Sequence, residues 1–134
     1  MRKIIFCLLA LFLLSPNFSA SAAAETQVEI LYMNHGPLRS TIEQIKEALS
    51  QCGDKVSASW YDFESPEGEQ FMAKKGIKQH VPLMIWVDGS TLAKVGQNEV
   101  KFVGFPSGAG PWLYQGKWTV EDLKAALAQA TGNK

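Results

Sequence analysis

The side chains able to do chemistry in this chain are few. His35 and His80 are its two histidines, and Cys7 and Cys52 its two cysteines. Neutral imidazole binds copper, zinc or haem iron, and a thioether such as Met33 or Met84 adds a preference for Cu(I). Two histidines are too few for a closed zinc site, and no HxxxH or Cys–His spacing accompanies them. No metal site is therefore assigned, and His35 and His80 are the candidate ligands if one exists. Asp62, Glu64, Glu67 and Glu69 form an acidic stretch, but a strand end followed by a helix start accounts for it. No Ser-His-Asp ordering and no phosphate-cradling glycine loop occurs. The residues alone assign no catalytic group and no cofactor.

The thiols depend on what becomes of the N-terminus. Arg2 and Lys3 precede an apolar run of eleven residues, Ile4 to Leu14. Ser15-Pro16-Asn17 breaks the run, and Ala22-Ala23-Ala24 offers small residues for cleavage. This is the three-part pattern of a secretory signal peptide. Eleven residues rise only about 16 Å as a helix, roughly half a bilayer core, so a membrane span is not expected once the signal is removed. A cleaved signal over residues 1–24 implies a periplasmic or secreted protein of one domain, residues 25–134. Cys7 leaves with the signal, and Cys52 remains alone in an oxidising compartment, unable to form an internal disulfide. Its readings are a partly buried or capping thiol, an intermolecular disulfide, or a reactive thiol. The full chain carries 13 basic and 13 acidic residues, and losing Arg2 and Lys3 makes the mature domain slightly acidic. A nucleic-acid binder needs a basic face and is not expected.

The elements that must position the histidines alternate in type. Val28–Met33 reads as a strand. Pro37 suits a first helical turn, and Leu38, Ile42, Ile45 and Leu49 form one apolar helical stripe that Gly53 ends. Val56–Tyr61 is a second strand. Ser65-Pro66 with Glu67 and Glu69 starts a short helix that stops by Gly76. Leu83–Val87 is a continuous apolar run, as expected of a buried central strand. Thr91–Val95 and Val100–Phe105 read as a hairpin through the turn between them. Thr119 with Asp122 opens a last helix carrying Val120, Leu123 and Leu127. The order β-α-β-α-β-β-α predicts a mixed sheet with helices on both faces.

Two loops in that order resemble the thioredoxin family. Asn34-His35-Gly36-Pro37-Leu38-Arg39 stands where thioredoxins carry W-C-G-P-C-K, and Gly76-Ile77-Lys78-Gln79-His80-Val81-Pro82-Leu83 is similar to their G-I-x-x-x-P-T stretch. The resemblance covers residues 28 to about 130. It implies an α/β fold with a mixed central sheet of four to five strands flanked by helices on both faces. It also implies a cis bond before Pro82 and a shared patch made of His35, Gly36, Pro37, His80, Val81 and Pro82. The departure from the family is as informative. His35 and Leu38 replace both cysteines, and neither imidazole nor leucine can form or resolve a mixed disulfide. Dithiol exchange at this position is excluded by chemistry. An atypical member of the oxidoreductase family and a metal-binding protein are the alternatives to a binding module. In the family, backbone before the proline pairs with an extended peptide, so the partner implied is a protein or an extended peptide, captured at Val81.

A second region departs from thioredoxins. Gly104 to Trp118, GFPSGAGPWLYQGKW, is longer than the usual connections of compact domains. It holds four glycines, two prolines and the aromatics Phe105, Trp112, Tyr114 and Trp118. Such residues either cover the core edge or form a partner loop.

Overall fold

The computed structural model describes residues 24–132. The signal peptide expected over residues 1–24 lies, but for Ala24, outside the described residues. Strand β1 (Thr26–Tyr32) is followed by a short 3-10 turn (Gly36–Leu38) and helix α1 (Arg39–Ser50). Then come β2 (Val56–Asp62), α2 (Pro66–Lys75), β3 (Leu83–Val87), β4 (Leu92–Val95), β5 (Asn98–Lys101) and α3 (Val120–Gly132).

The helices form where the local chemistry directs them. The stripe of α1 is buried at Ile42, Ile45 and Leu49, with Leu38 just before it. Burying one such side chain removes about 1.5–3 kcal/mol of exposed-surface cost. At α2, Ser65 Oγ accepts from the Gly68 N–H at 3.0 Å, and Pro66 occupies the first turn. Gly76 closes it in the left-handed region. At α3, the Thr119 N–H donates to Asp122 Oδ2 and the Asp122 N–H to Thr119 Oγ1, a reciprocal cap.

The sheet corrects the expectation. A single central sheet of four to five strands, flanked on both faces, does not form. One sheet has three strands in the order β2-β1-β3, and β4-β5 make a separate two-stranded sheet. β1 pairs parallel with β2 and antiparallel with β3. The strand expected over Val100–Phe105 stops at Lys101. Beyond it, the chain touches β3 through one isolated bridge, Met84 to Val103. The Gly104 N–H donates to the Leu83 carbonyl and the Ile85 N–H to the Phe102 carbonyl, but the Phe102 N–H goes to the Thr91 carbonyl and the Val87 N–H to the Ser90 carbonyl, so the pairing does not extend into β5. Phe105 then gives its N–H to the Tyr114 carbonyl inside the following loop.

The larger apolar cluster joins Val28 and Ile30 of β1 to α1, Phe102, Trp118 and the buried side of α3. Leu31, one residue out of phase, belongs to a second cluster with Phe71 of α2 and Trp86 of β3. There Tyr61 stacks on Phe71 at 3.9 Å between ring centroids. Lys75 reaches over both the Phe71 and Trp86 rings and is ion-paired with Glu29. Among the described residues no helix is long and apolar enough to cross a membrane.

Candidate functional site

The β1–β3 register decides what meets at the C-terminal end of β1. Tyr32 lies opposite Leu83, and the pairing runs antiparallel. Just past the last pair, Met33 comes beside Pro82. The Met33 N–H donates to the Pro82 carbonyl at 3.0 Å, so the two loops are tied together just beyond the ladder. Two histidines 45 positions apart in sequence thus border one cavity of about 200 Å³. Met33, Pro37, Leu38, Pro82, Phe105, Pro111 and Tyr114 complete its lining.

The bond before Pro82 differs from the expectation: no peptide bond among the described residues is cis. Val81 to Pro82 is trans, and the loop keeps its place through the Met33 bond.

His35 sits at the start of the 3-10 turn with extended backbone, and its ring caps nothing. Its Nε2 lies 3.6 Å from Glu64 Oε1, with both side chains more than half exposed. In that setting an ion pair contributes little, of order 0–1 kcal/mol. His80 is exposed and meets Phe63 edge-on, ring centroids 4.5 Å apart. Phe63 is itself anchored by its N–H to the Tyr32 carbonyl at 2.8 Å. Residues 63–64 therefore support both histidines. Glu64 had no sequence signal beyond the acidic stretch. Gly36 and Pro37 are exposed, Pro82 is buried and Val81 half-buried. Among the described residues no hydrogen bond uses the backbone N–H or C=O of Val81.

The Gly104–Trp118 segment supplies the opposite wall and divides into two kinds of residue. Trp118 is core: it is buried, packs edge-on to Phe102 and donates from Nε1 to the Gly104 carbonyl at 3.2 Å. Of its two readings, core edge and partner loop, this burial matches the first. Phe105 is buried too, yet lines the cavity. Trp112 and Leu113 are 81% and 66% exposed, and Tyr114 stands beside them at the cavity wall. The segment is braced by its own polar groups. Gln115 Nε2 donates to the Gly110 carbonyl and Gln115 Oε1 accepts from the Gly108 N–H, each at 3.1 Å. The Ser107 N–H donates to the Trp118 carbonyl at 2.7 Å. Pro111 was visible in sequence only as part of a Gly/Pro-rich stretch, and its role as a wall depends on this bracing.

Met33, His35 and His80 are the potential metal ligands at the cavity. Among the described residues, no three His, Cys, Asp or Glu side chains gather where they could hold an ion. Cys52 is remote from the site, at the far end of α1. Its Sγ lies 3.5 Å from the Ala48 carbonyl, and burial pushes its pKa up, partly opposed by Lys55. That makes it a poor nucleophile at neutral pH.

No family model, curated protein or solved structure matches the chain.

Proposed function

We propose that this chain is a periplasmic or secreted binding module, related to the thioredoxin family but without dithiol chemistry, that takes an extended peptide or protein segment. The observation that carries the reading is the unpaired N–H and C=O of Val81 at the lip of the apolar cavity. A peptide strand laid beside residues 80–81 would gain backbone hydrogen bonds from Val81. Its side chains would alternate, and one would enter the cavity between Pro37, Pro82 and Tyr114. That side chain must be apolar, since an unpaired polar group there would lose its water without replacement. Exposed Trp112 and Leu113 lie beside the same wall and would cover a neighbouring residue of the peptide.

The test is selection from a displayed library of linear peptides, followed by calorimetric titration of the selected sequences. The reading expects an apolar residue at one fixed position and binding weakened by Val81→Asp and by the His35→Ala/His80→Ala pair. Selected peptides that bind those variants as well as the parent would refute it. The copper and zinc alternative draws on Met33, His35 and His80 sharing one cavity. Calorimetry with Cu(I), Cu(II) and Zn(II) tests it directly, and no saturable uptake would end it.

A further inference from the structure

β2 is the outer strand of its sheet, paired with β1 alone. The Phe63 N–H donates to the Tyr32 carbonyl across that pair. Backbone groups alternate in direction along a strand. Ser57, Ser59 and Tyr61 therefore turn theirs toward β1, and Val56, Ala58, Trp60 and Asp62 turn theirs outward. The Asp62 carbonyl is taken by the N–H and Oγ of Ser65. Ala58 and Trp60 keep open donors and acceptors in the middle of the edge. Edge strands are ordinarily guarded by proline, lysine or a bulge, and the sequence from Val56 to Tyr61 holds no proline and no charge.

We propose that this edge is a symmetric dimer interface, in which β2 pairs antiparallel with β2 of a second copy about a two-fold axis through Ser59. Ala58 then exchanges both backbone hydrogen bonds with the partner's Trp60, and Trp60 with the partner's Ala58. The side chains of VSASWYD fit this register, because the strand is small before Ser59 and large after it. The half-turn sets Ala58 against the partner's Trp60 on one face and Ser57 against the partner's Tyr61 on the other. Ala58 is exposed, leaving room for an indole. Trp60 is half-buried and already held edge-on to Tyr32 at 5.7 Å. Asp62 meets the partner's Val56, so no like charges oppose one another. A second copy meets all these requirements at once through symmetry, and the two three-stranded sheets become one of six strands.

Sedimentation equilibrium over a range of concentrations tests the proposal. The parent protein is expected to approach twice its monomer mass as concentration rises. Ala58→Pro removes only an N–H that faces away from β1, and edge positions tolerate proline. It should give the monomer mass with unchanged circular dichroism. Ser59→Lys places two ammonium groups together at the axis and should also give the monomer. It decides the matter if Ala58→Pro fails to fold. A third variant checks the register. Ser59 would face its counterpart as a non-hydrogen-bonded pair, with Cα atoms about 4.5 Å apart, within disulfide reach. Ser59→Cys in a Cys52→Ser background should therefore form a covalent dimer with diamide, which takes up the two protons and two electrons. A parent protein that stays monomeric at every concentration would overturn the proposal. So would a dimer that survives both Ala58→Pro in folded form and Ser59→Lys.

Discussion

Replacing Gly104 by alanine tests how the cavity wall is held. Gly104 lies at φ +82°, and a Cβ there would stand 2.5 Å from the Tyr114 carbonyl oxygen and 3.0 Å from the Gly116 nitrogen. Both obstacles are backbone, so neither can rotate aside. Tyr114 would have to retreat, breaking the bond that its carbonyl accepts from the Phe105 N–H at 2.8 Å. The left-handed conformation costs alanine about 1–2 kcal/mol. Losing a buried backbone bond adds about 1–3 kcal/mol, for a total of about 2–5 kcal/mol. Gly108 supplies the control. Its φ is +80°, but nothing lies within 4 Å of its added Cβ. Gly108→Ala should cost only the conformational part, about 1–2 kcal/mol. Urea unfolding followed by tryptophan fluorescence measures both. Gly104→Ala should be the less stable variant by about 1–3 kcal/mol, and it should also bind selected peptides more weakly. Equal destabilisation of the two variants would refute the close approach as what sets the wall.

Further outcomes are expected. Stoichiometric protein should leave the rate of insulin disulfide reduction by dithiothreitol unchanged, since His35 and Leu38 replace the dithiol, and acceleration would contradict that reasoning. Cys52 should react with iodoacetamide more slowly in the native protein than in urea at pH 8. Because the folded thiol keeps its proton above the ordinary value of 9.0, the folded state binds more protons there, and stability should fall as pH rises through that value. A melting temperature that stays flat or rises from pH 8 to 10 would contradict this. The His35→Ala/His80→Ala pair should lose at most about 1 kcal/mol of stability, because the Glu64 contact is exposed; a loss above about 3 kcal/mol would show the histidines to be structural. Lys75→Met should cost about 1–2 kcal/mol in urea unfolding, through the lost cation–ring contacts and a Glu29 carboxylate left half-buried without its partner.

The local signals in the sequence were strong wherever a single segment determined the outcome. The stripe from Leu38 to Leu49, the Ser65-Pro66 cap and the Thr119–Asp122 cap each depend on neighbours within a turn, and their helices form accordingly. The meeting of His35 with His80 was reachable only through the resemblance, because strand register is a non-local property. The sheet departs from the sequence reading for a non-local reason. VKFVGF reads as one strand, but the Phe102 N–H donates to the Thr91 carbonyl and the Val87 N–H to the Ser90 carbonyl, which leaves β3 one bridge to this segment and β4-β5 as a pair. Trp118 and Tyr114 look alike as loop aromatics. They separate because the Trp118 indole finds the Gly104 carbonyl in the core, while Tyr114 is held outward by the braced loop. Glu64 and Phe63 lay in a stretch whose strand-end and helix-start signals hid their contact with the histidines.

The most direct measurement is amide hydrogen exchange at Val81, with and without a selected peptide. In the free protein this N–H has no partner among the described residues and should exchange at close to the rate of an unstructured amide. Saturating peptide should slow it by more than tenfold, with the Met33 amide protected in both states. Binding that leaves Val81 exchanging as fast as before would contradict capture by strand addition at this groove.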